Sequence, residues 1–129
     1  MRARKLKTLY RRAAGAMMSI IVDPKTVCRI EDIAISVEGT TTEELFLSWL
    51  KEILFQAEKE GMVFSRFNIY KDNFSHPQPE RYRIYGKLGG EKIDPLRHEI
   101  CTEIKAVTRH GFFLEKKGLY WESRILFDI

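Results

Sequence analysis

The residues best placed to do chemistry are two carboxylates at the end of the printed sequence, the side chain of Asp128 and the terminal carboxylate of Ile129. The last five residues are Ile-Leu-Phe-Asp-Ile, which is more apolar than most surface tails, so we expect the final strand to be built into the fold. Hard anionic oxygens are the ligands that calcium and magnesium prefer. Two carboxylates do not complete such a site, and a solvated strand end is the competing interpretation of Asp128.

Few other residues form a recognisable catalytic pattern. The sequence has no glycine-rich phosphate loop, no GxSxG, no HExxH and no paired-cysteine metal motif. The three histidines, His76, His98 and His110, do not have the spacing of metal ligands. Lys105 is either an ordinary strand lysine or, at a site, a point charge for a phosphate or a partner for the carboxylates. The sequence therefore does not support a conventional metabolic enzyme.

The positive charge of the chain is concentrated at its beginning. The net charge is +4, yet six of the 22 basic residues lie in the first twelve positions without an acid among them. These residues are Arg2, Arg4, Lys5, Lys7, Arg11 and Arg12. We expect this stretch to be the part of the chain that contacts RNA or another acidic partner.

Length and composition indicate one domain over residues 1–129, large enough to bury a core without disulfides. Cys28 and Cys101 are far apart, and we expect two reduced, buried thiols rather than a disulfide. No apolar run approaches the roughly 20 residues that span a membrane. We therefore expect a cytoplasmic protein without a membrane partner.

The first 22 residues allow two interpretations. A basic start followed by an apolar run is typical of a signal or transit peptide. The apolar residues from Leu6 to Ile21 also follow the spacing that keeps one face of a helix apolar, and Asp23-Pro24 would end that helix. Because no small-residue cleavage site follows the run, we favour a core helix.

A second helix is predicted by a capping box at Thr41 and Glu44, in which each side chain satisfies a backbone donor, and by Gly61 as its C-terminal cap. Gly89-Gly90 and Asp94-Pro95 are expected to be turns, and Lys116–Gly118 the turn of a hairpin. Strands are predicted at Cys28–Glu38, Phe64–Tyr70, Arg81–Tyr85, Ile104–Val107, Phe112–Glu115 and Leu119–Phe127, with a surface loop over Lys71–Glu80. The fold class is α+β, with two helices packed on a largely antiparallel β-sheet.

The sequence resembles the archease family. The resemblance rests on Glu103–His110 followed by the terminal Ile125–Ile129, on the helix Glu43–Phe55, and on Ile20–Pro24, in one register from about Leu6 to Ile129. It implies an archease-like fold and a protein that is not itself an enzyme. Archeases assist the tRNA-splicing RNA ligase by promoting guanylylation of its catalytic histidine and repeated turnover.

The resemblance also implies site residues. It assigns Asp128 and the Ile129 carboxylate as two ligands of a divalent metal, Ca or Mg, and Lys105 and His110 as residues of ligase activation. The family's N-terminal Asp-His-Thr-Ala-Asp strand, which supplies a third ligand, is absent here, and a basic segment stands in its place. The family tyrosine before His110 is Arg109. We therefore expect a domain that is truncated at its N-terminus, with an incomplete metal site.

Three functions follow as hypotheses. The first is an activator of the tRNA-splicing ligase, which meets tRNA and guanine nucleotide indirectly through that ligase. The second is a chaperone-like module that binds RNA or protein without metal chemistry through the basic stretch. The third is an inactive truncated remnant.

Overall fold

The structure, a computed structural model, describes residues 1–79 and 81–129. Glu80, the last residue of the predicted Lys71–Glu80 loop, lies outside the described residues. Helices α1 (Leu6–Ile21) and α2 (Thr42–Glu60) are joined by a segment containing a short 3-10 helix, Pro24–Thr26. The strands are β1 (Arg2–Ala3), β2 (Glu31–Gly39), β3 (Met62–Asp72), β4 (Tyr82–Lys92), β5 (Ala106–Lys117) and β6 (Tyr120–Asp128). The predicted α+β fold class is confirmed.

The strands form two antiparallel sheets of three strands each, in the orders β1–β6–β5 and β2–β4–β3. Both helices contact both sheets: α1 and α2 pack against β2–β4–β3, α1 also contacts β1 and β6, and α2 also contacts β5. The buried apolar residues of helices and sheets form one core. Over the described part of the chain, none of the helices has the length and apolarity needed to cross a membrane.

Helix α1 is the core helix that its periodicity predicts. Its apolar face is buried, with Leu9, Tyr10 and Met17 fully enclosed. The helix ends at Ile21, because Asp23 adopts an extended backbone before Pro24. The burial of this apolar face agrees with the core-helix interpretation.

Helix α2 begins and ends as predicted, with one difference at its start. Thr41 is the N-cap, and its hydroxyl accepts a hydrogen bond from the Glu44 N–H at 3.1 Å. Gly61 closes the helix in the left-handed conformation at φ +61°. The reciprocal half of the predicted capping box is wrong, since the Glu44 carboxylate pairs with Arg109 of β5 instead.

The predicted turn at Gly89-Gly90 is wrong, because β4 runs straight through both residues to Lys92. Small residues are needed there for packing rather than for turning. A Cβ on Gly90 would lie 2.0 Å from the Val63 carbonyl oxygen of β3, and one on Gly86 would lie 2.8 Å from the Trp49 ring. Glycine at these two positions lets β3 and α2 approach the strand closely.

The two predicted strands Ile104–Val107 and Phe112–Glu115 are one strand, β5, which begins at Ala106. The register shifts between Thr108 and Phe113, so extra residues of β5 form a bulge that contains Gly111 at φ +69°. The bulge interrupts the alternation of apolar side chains, which is why the sequence suggested two strands. The hairpin to β6 is confirmed, with Gly118 at φ +61° in its turn.

A short strand precedes α1, whereas the sequence predicted that this early strand is lost. Residues Arg2 and Ala3 form β1 and pair with Glu122 and Trp121 of β6. The pattern was too short to be seen in the sequence, because two residues carry no measurable alternation.

A pair of glycine substitutions tests the packing argument. Gly90→Ala should destabilise the fold by about 1–3 kcal/mol or more, because its Cβ would overlap the backbone of β3. Gly15→Ala is the matched control in α1, where an added Cβ meets nothing within 4 Å, and it should stabilise the fold by about 0.5–1 kcal/mol. Urea denaturation measures both changes, and equal stability of the two variants would contradict the close approach of β3 and β4.

Candidate functional site

The end of the β5–β6 hairpin brings Lys105 to Asp128. Ala106 is the register partner of Asp128, and the Lys105 N–H donates a 2.6 Å hydrogen bond to the Asp128 carbonyl oxygen. Ile104, immediately before Lys105, is almost fully buried and anchors this end of the strand in the core. Two residues 23 positions apart in sequence are thus fixed as neighbours by strand pairing.

The two carboxylates that the sequence singles out lie in solvent. Asp128 is exposed at the end of β6, and Ile129 is 64% exposed. Carboxylate oxygens are hard ligands of the kind that calcium and magnesium prefer. Calcium takes about six to eight such oxygens. Among the described residues no three His, Cys, Asp or Glu side chains form a metal-holding group. A cation at this end would therefore fit as one held by two protein carboxylates, with water or phosphate oxygens completing its coordination.

His110 lies in the bulge of β5, a few residues along the strand from Lys105. Its side chain is exposed, and its N–H donates to the Thr108 hydroxyl at 2.9 Å. Thr108 is the register partner of Leu126, so the bulge starts two residues before Asp128 on the neighbouring strand. The hairpin thus carries all of the residues predicted for ligase activation and metal binding on its open end.

Helix α2 holds the bulge in place through two contacts. Arg109 Nη2 donates to Glu44 Oε2 at 2.6 Å, and the ring of Phe112 stacks on Phe46 with centroids 5.6 Å apart. Hydrogen bonding from the Arg109 guanidinium lowers the pKa of the Glu44 carboxyl below its usual range. Arg109, which differs from the family pattern, therefore has a positioning role that the sequence did not show.

The basic N-terminal stretch begins far from the carboxylates. Arg2 pairs with Glu122 at 3.3 Å, six residues from Asp128 and so about 20 Å along β6. The Arg2 and Arg4 guanidinium carbons lie 4.3 Å and 5.6 Å from the centroid of the Tyr120 ring. Lys5, an exposed residue, precedes α1 as its N-cap, and Lys7 is half-buried.

Arg11 and Arg12 extend this basic stretch along α1. Arg12 donates to the Arg2 carbonyl oxygen at 2.8 Å, and Arg11 donates to the Phe67 carbonyl oxygen of β3 at 3.1 Å. A cavity of about 540 Å³ is lined by residues of this stretch together with Tyr120. The stretch therefore surrounds the first turns of α1 rather than forming a free basic tail.

A buried polar cluster was not anticipated from the sequence, where His98 had no recognisable partner. The Glu91 carboxylate is buried, accepts a hydrogen bond from the Cys28 N–H and pairs with Arg97. His98 Nδ1 accepts from the Asp94 N–H at 2.9 Å, so the neutral ring carries its proton on Nε2, which lies 3.3 Å from Glu91 Oε2. These contacts fasten the β4–β5 connection to β4, which is a structural role.

The cysteine prediction is half right. Cys28 and Cys101 are both free, as expected, but both are exposed rather than buried. Each lies in an irregular segment outside the strands, so neither side chain is directed into the core by a strand or helix.

Comparisons with known proteins agree on one family. A family profile described as the Archease protein family matches residues 1–129. The archease of Methanopyrus kandleri is 35% identical over 91% of this chain and 81% of its own length. The archease of Pyrococcus furiosus is 33% identical over 96% of this chain and 85% of its own length.

Solved structures agree with this sequence similarity. Protein 1598 of Methanobacterium thermoautotrophicum superposes with a TM-score of 0.83 at 26% identity, covering 99% of this chain and 88% of that one. An archease from Thermotoga maritima, described as a possible chaperone, gives a TM-score of 0.63 over 100% of this chain and 87% of that one. At 17% identity the second structure supports the fold alone.

The pair between Arg109 and Glu44 makes stability depend on pH in a defined direction. Since the folded state lowers the pKa of Glu44, the pair contributes stability above the ordinary glutamate pKa and loses it as the pH falls below about 4. Arg109→Gln should therefore lower the thermal midpoint at pH 7, and this deficit should shrink as the pH falls through the lowered pKa of Glu44.

The control for this experiment is Glu43→Gln, which removes the neighbouring carboxylate. Within residues 1–79 and 81–129, Glu43 forms no ion pair. The midpoint of each variant is followed by circular dichroism from pH 7 to pH 3. A deficit of the Arg109 variant that stays constant over this range would contradict the ion pair as its cause.

Proposed function

The chain belongs to the archease family, and from this premise we propose that it is a protein cofactor of the tRNA-splicing RNA ligase rather than a catalyst itself. In this role it promotes guanylylation of the ligase and multiple turnover during tRNA splicing or RNA repair. Its contact with tRNA and guanine nucleotide is indirect, through the ligase.

The observation that carries the proposal is the pairing of Lys105 with Asp128 at the open end of the β5–β6 hairpin. A nucleotidyl-transfer partner has to present charge to a phosphate, and this end combines two exposed carboxylates with an exposed ammonium group. The backbone hydrogen bond, and Ile104 in the core, hold the strand ends in one register. The arrangement is therefore ordered before a partner binds, which lowers the entropic cost of binding.

Each of these residues has a distinct role in the proposal. Asp128 and the Ile129 carboxylate hold a divalent cation, Ca or Mg, which when bound would supply positive charge for phosphate oxygens. Lys105 attracts a phosphate group as a compact point charge. His110, exposed in the bulge, contributes to the surface that meets the ligase.

A second candidate is a chaperone-like module that binds RNA or protein without a metal. It is favoured by the cavity between the basic N-terminal stretch and Tyr120, in which arginines face an aromatic ring. Chelation separates the two candidates, since the metal-dependent role is lost when EDTA is added and the metal-independent role is not.

We predict that Asp128→Asn reduces stimulation of ligase guanylylation by at least about 10-fold, because loss of a carboxylate ligand weakens a two-carboxylate site. Appending one glycine after Ile129 should have a similar effect, since it moves the terminal carboxylate away from Asp128. The measurement is transfer of labelled GMP to the cognate RNA ligase at fixed metal concentration, accompanied by calorimetric titration of Ca or Mg into the protein alone.

Glu115→Gln is the matched control, because it removes an exposed carboxylate near the turn, at the other end of the same hairpin. Lys105→Arg keeps the charge at Lys105, whereas Lys105→Gln removes it. Equal stimulation by Asp128→Asn and Glu115→Gln would refute the role of Asp128, and equal stimulation by both lysine variants would refute that of Lys105.

A further inference from the structure

The β2–β4–β3 sheet has a polar outer face opposite the helices. Ile84 and Leu88 of β4 are buried on the helix side, so the alternating residues Arg83, Tyr85 and Lys87 lie on the other face. Tyr70 of β3 is 51% exposed. We call this outer face the sheet platform, defined by Arg66, Tyr70, Lys71, Tyr85 and Lys87.

Cations and aromatic rings alternate across the platform. The ammonium nitrogen of Lys71 lies 5.4 Å from the Tyr85 ring centroid, and that of Lys87 lies 5.7 Å from the Tyr70 ring centroid. The two tyrosine rings are 6.3 Å apart. Such cation–π pairs hold each positive charge beside a flat apolar surface.

The acids of this face are already occupied. Asp32 receives two hydrogen bonds of 3.0 Å from Arg29, and Glu38 pairs with Arg83. Within the described residues, Arg66, Lys71 and Lys87 have no carboxylate within 4.0 Å. The platform therefore carries net positive charge. The Asp32 carboxylate, whose pKa is lowered mainly by the hydrogen bonds from Arg29, also lies close enough to Lys87 and Arg66 for both to lower that pKa.

The platform continues into a groove beside α1. The cavity there has a volume of about 680 Å³ and is lined by Arg11 and Arg12 of the helix, by Arg66 and Lys87 of the sheet, and by the paired Arg29 and Asp32. Gly89 forms part of its lining, and an added Cβ would lie 2.9 Å from the Arg66 Cβ. The bare backbone at Gly89 leaves room for these cations to converge.

We propose that the sheet platform and this groove bind single-stranded nucleic acid, with bases stacked on Tyr70 and Tyr85 and phosphates held by the surrounding arginines and lysines. Tyr85 and Gly89 are four residues apart on β4, about 13 Å, so the cations are spread along a path that suits a polyanionic strand rather than one phosphate. Aromatic rings between the cations favour nucleic acid over an acidic peptide, because every base offers a flat face for stacking.

This inference does not rest on the ligase proposal, since the surface lies on the sheet that does not carry Lys105 and Asp128. It shares Arg11 and Arg12 with the basic N-terminal stretch, but its stacking residues belong to β3 and β4. The test uses the full chain alone in EDTA, so its result is independent of ligase and metal.

Fluorescence anisotropy with a labelled twelve-nucleotide oligouridylate, and with its DNA counterpart, measures binding from 50 to 200 mM salt. Tyr70→Leu and Tyr85→Leu should each weaken binding about 5- to 100-fold, because they remove a stacking surface. Tyr70→Phe and Tyr85→Phe keep the ring and should bind as the parent does. A preference for the RNA strand would assign recognition of the ribose hydroxyl, and equal binding would assign the phosphates and bases alone.

The charge test compares two double variants with the same loss of charge. Arg66→Gln with Lys87→Gln should reduce the log–log salt slope by about 1.4, since each phosphate contact on a single strand contributes about 0.7. Lys51→Gln with Lys59→Gln, at exposed positions of α2, should leave the slope unchanged.

Any of the following results would overturn the proposal. One is no binding at 50 mM salt. Another is an equal reduction of the salt slope in the two double variants. A third is that the leucine variants bind as well as the phenylalanine variants. Oligoglutamate that competes with the same affinity and the same sensitivity to the tyrosine variants would also exclude nucleic acid as the specific ligand. Circular dichroism of every variant verifies that it is folded.

Discussion

The fold depends on how Trp49 is buried between the helices and the β2–β4–β3 sheet. Its indole N–H donates a 3.0 Å hydrogen bond to the Tyr10 carbonyl oxygen of α1, and its ring packs where Gly86 leaves space on β4. Tyr10 is itself buried, donates its hydroxyl to the Thr42 carbonyl oxygen, and has its phenol pKa raised by burial. Trp49 therefore sets the spacing of α1, α2 and β4. Truncating a buried tryptophan typically destabilises a fold by about 3–5 kcal/mol.

The β1–β6–β5 sheet carries the residues of the proposed ligase function, and both helices contact it. Helix α2 contacts β5, with Phe46 under Phe112 and Glu44 beside Arg109, while β1 closes the other edge against β6. The open end of the hairpin is left in solvent, with its register fixed. A partner protein can therefore reach charged groups that the core already orders.

The two functional proposals divide between the two sheets. The carboxylates and Lys105 belong to β1–β6–β5, and the tyrosines and cations of the platform belong to β2–β4–β3. In both cases strand pairing gathers charged residues from distant segments of the chain onto one surface. A net charge of +4 therefore says little about either surface.

The sequence by itself determined the elements whose signals are local. The period of the apolar residues gave α1, the threonine cap and Gly61 gave α2, and Gly118 gave the last hairpin. Only the tertiary structure decided that Gly89-Gly90 lies inside a strand, since the reason is the backbone of β3 against it. It alone also decided that Lys105 meets Asp128 and that Arg66, Tyr70 and Lys87 share one surface. Such pairings depend on register between distant segments, which local propensity does not encode.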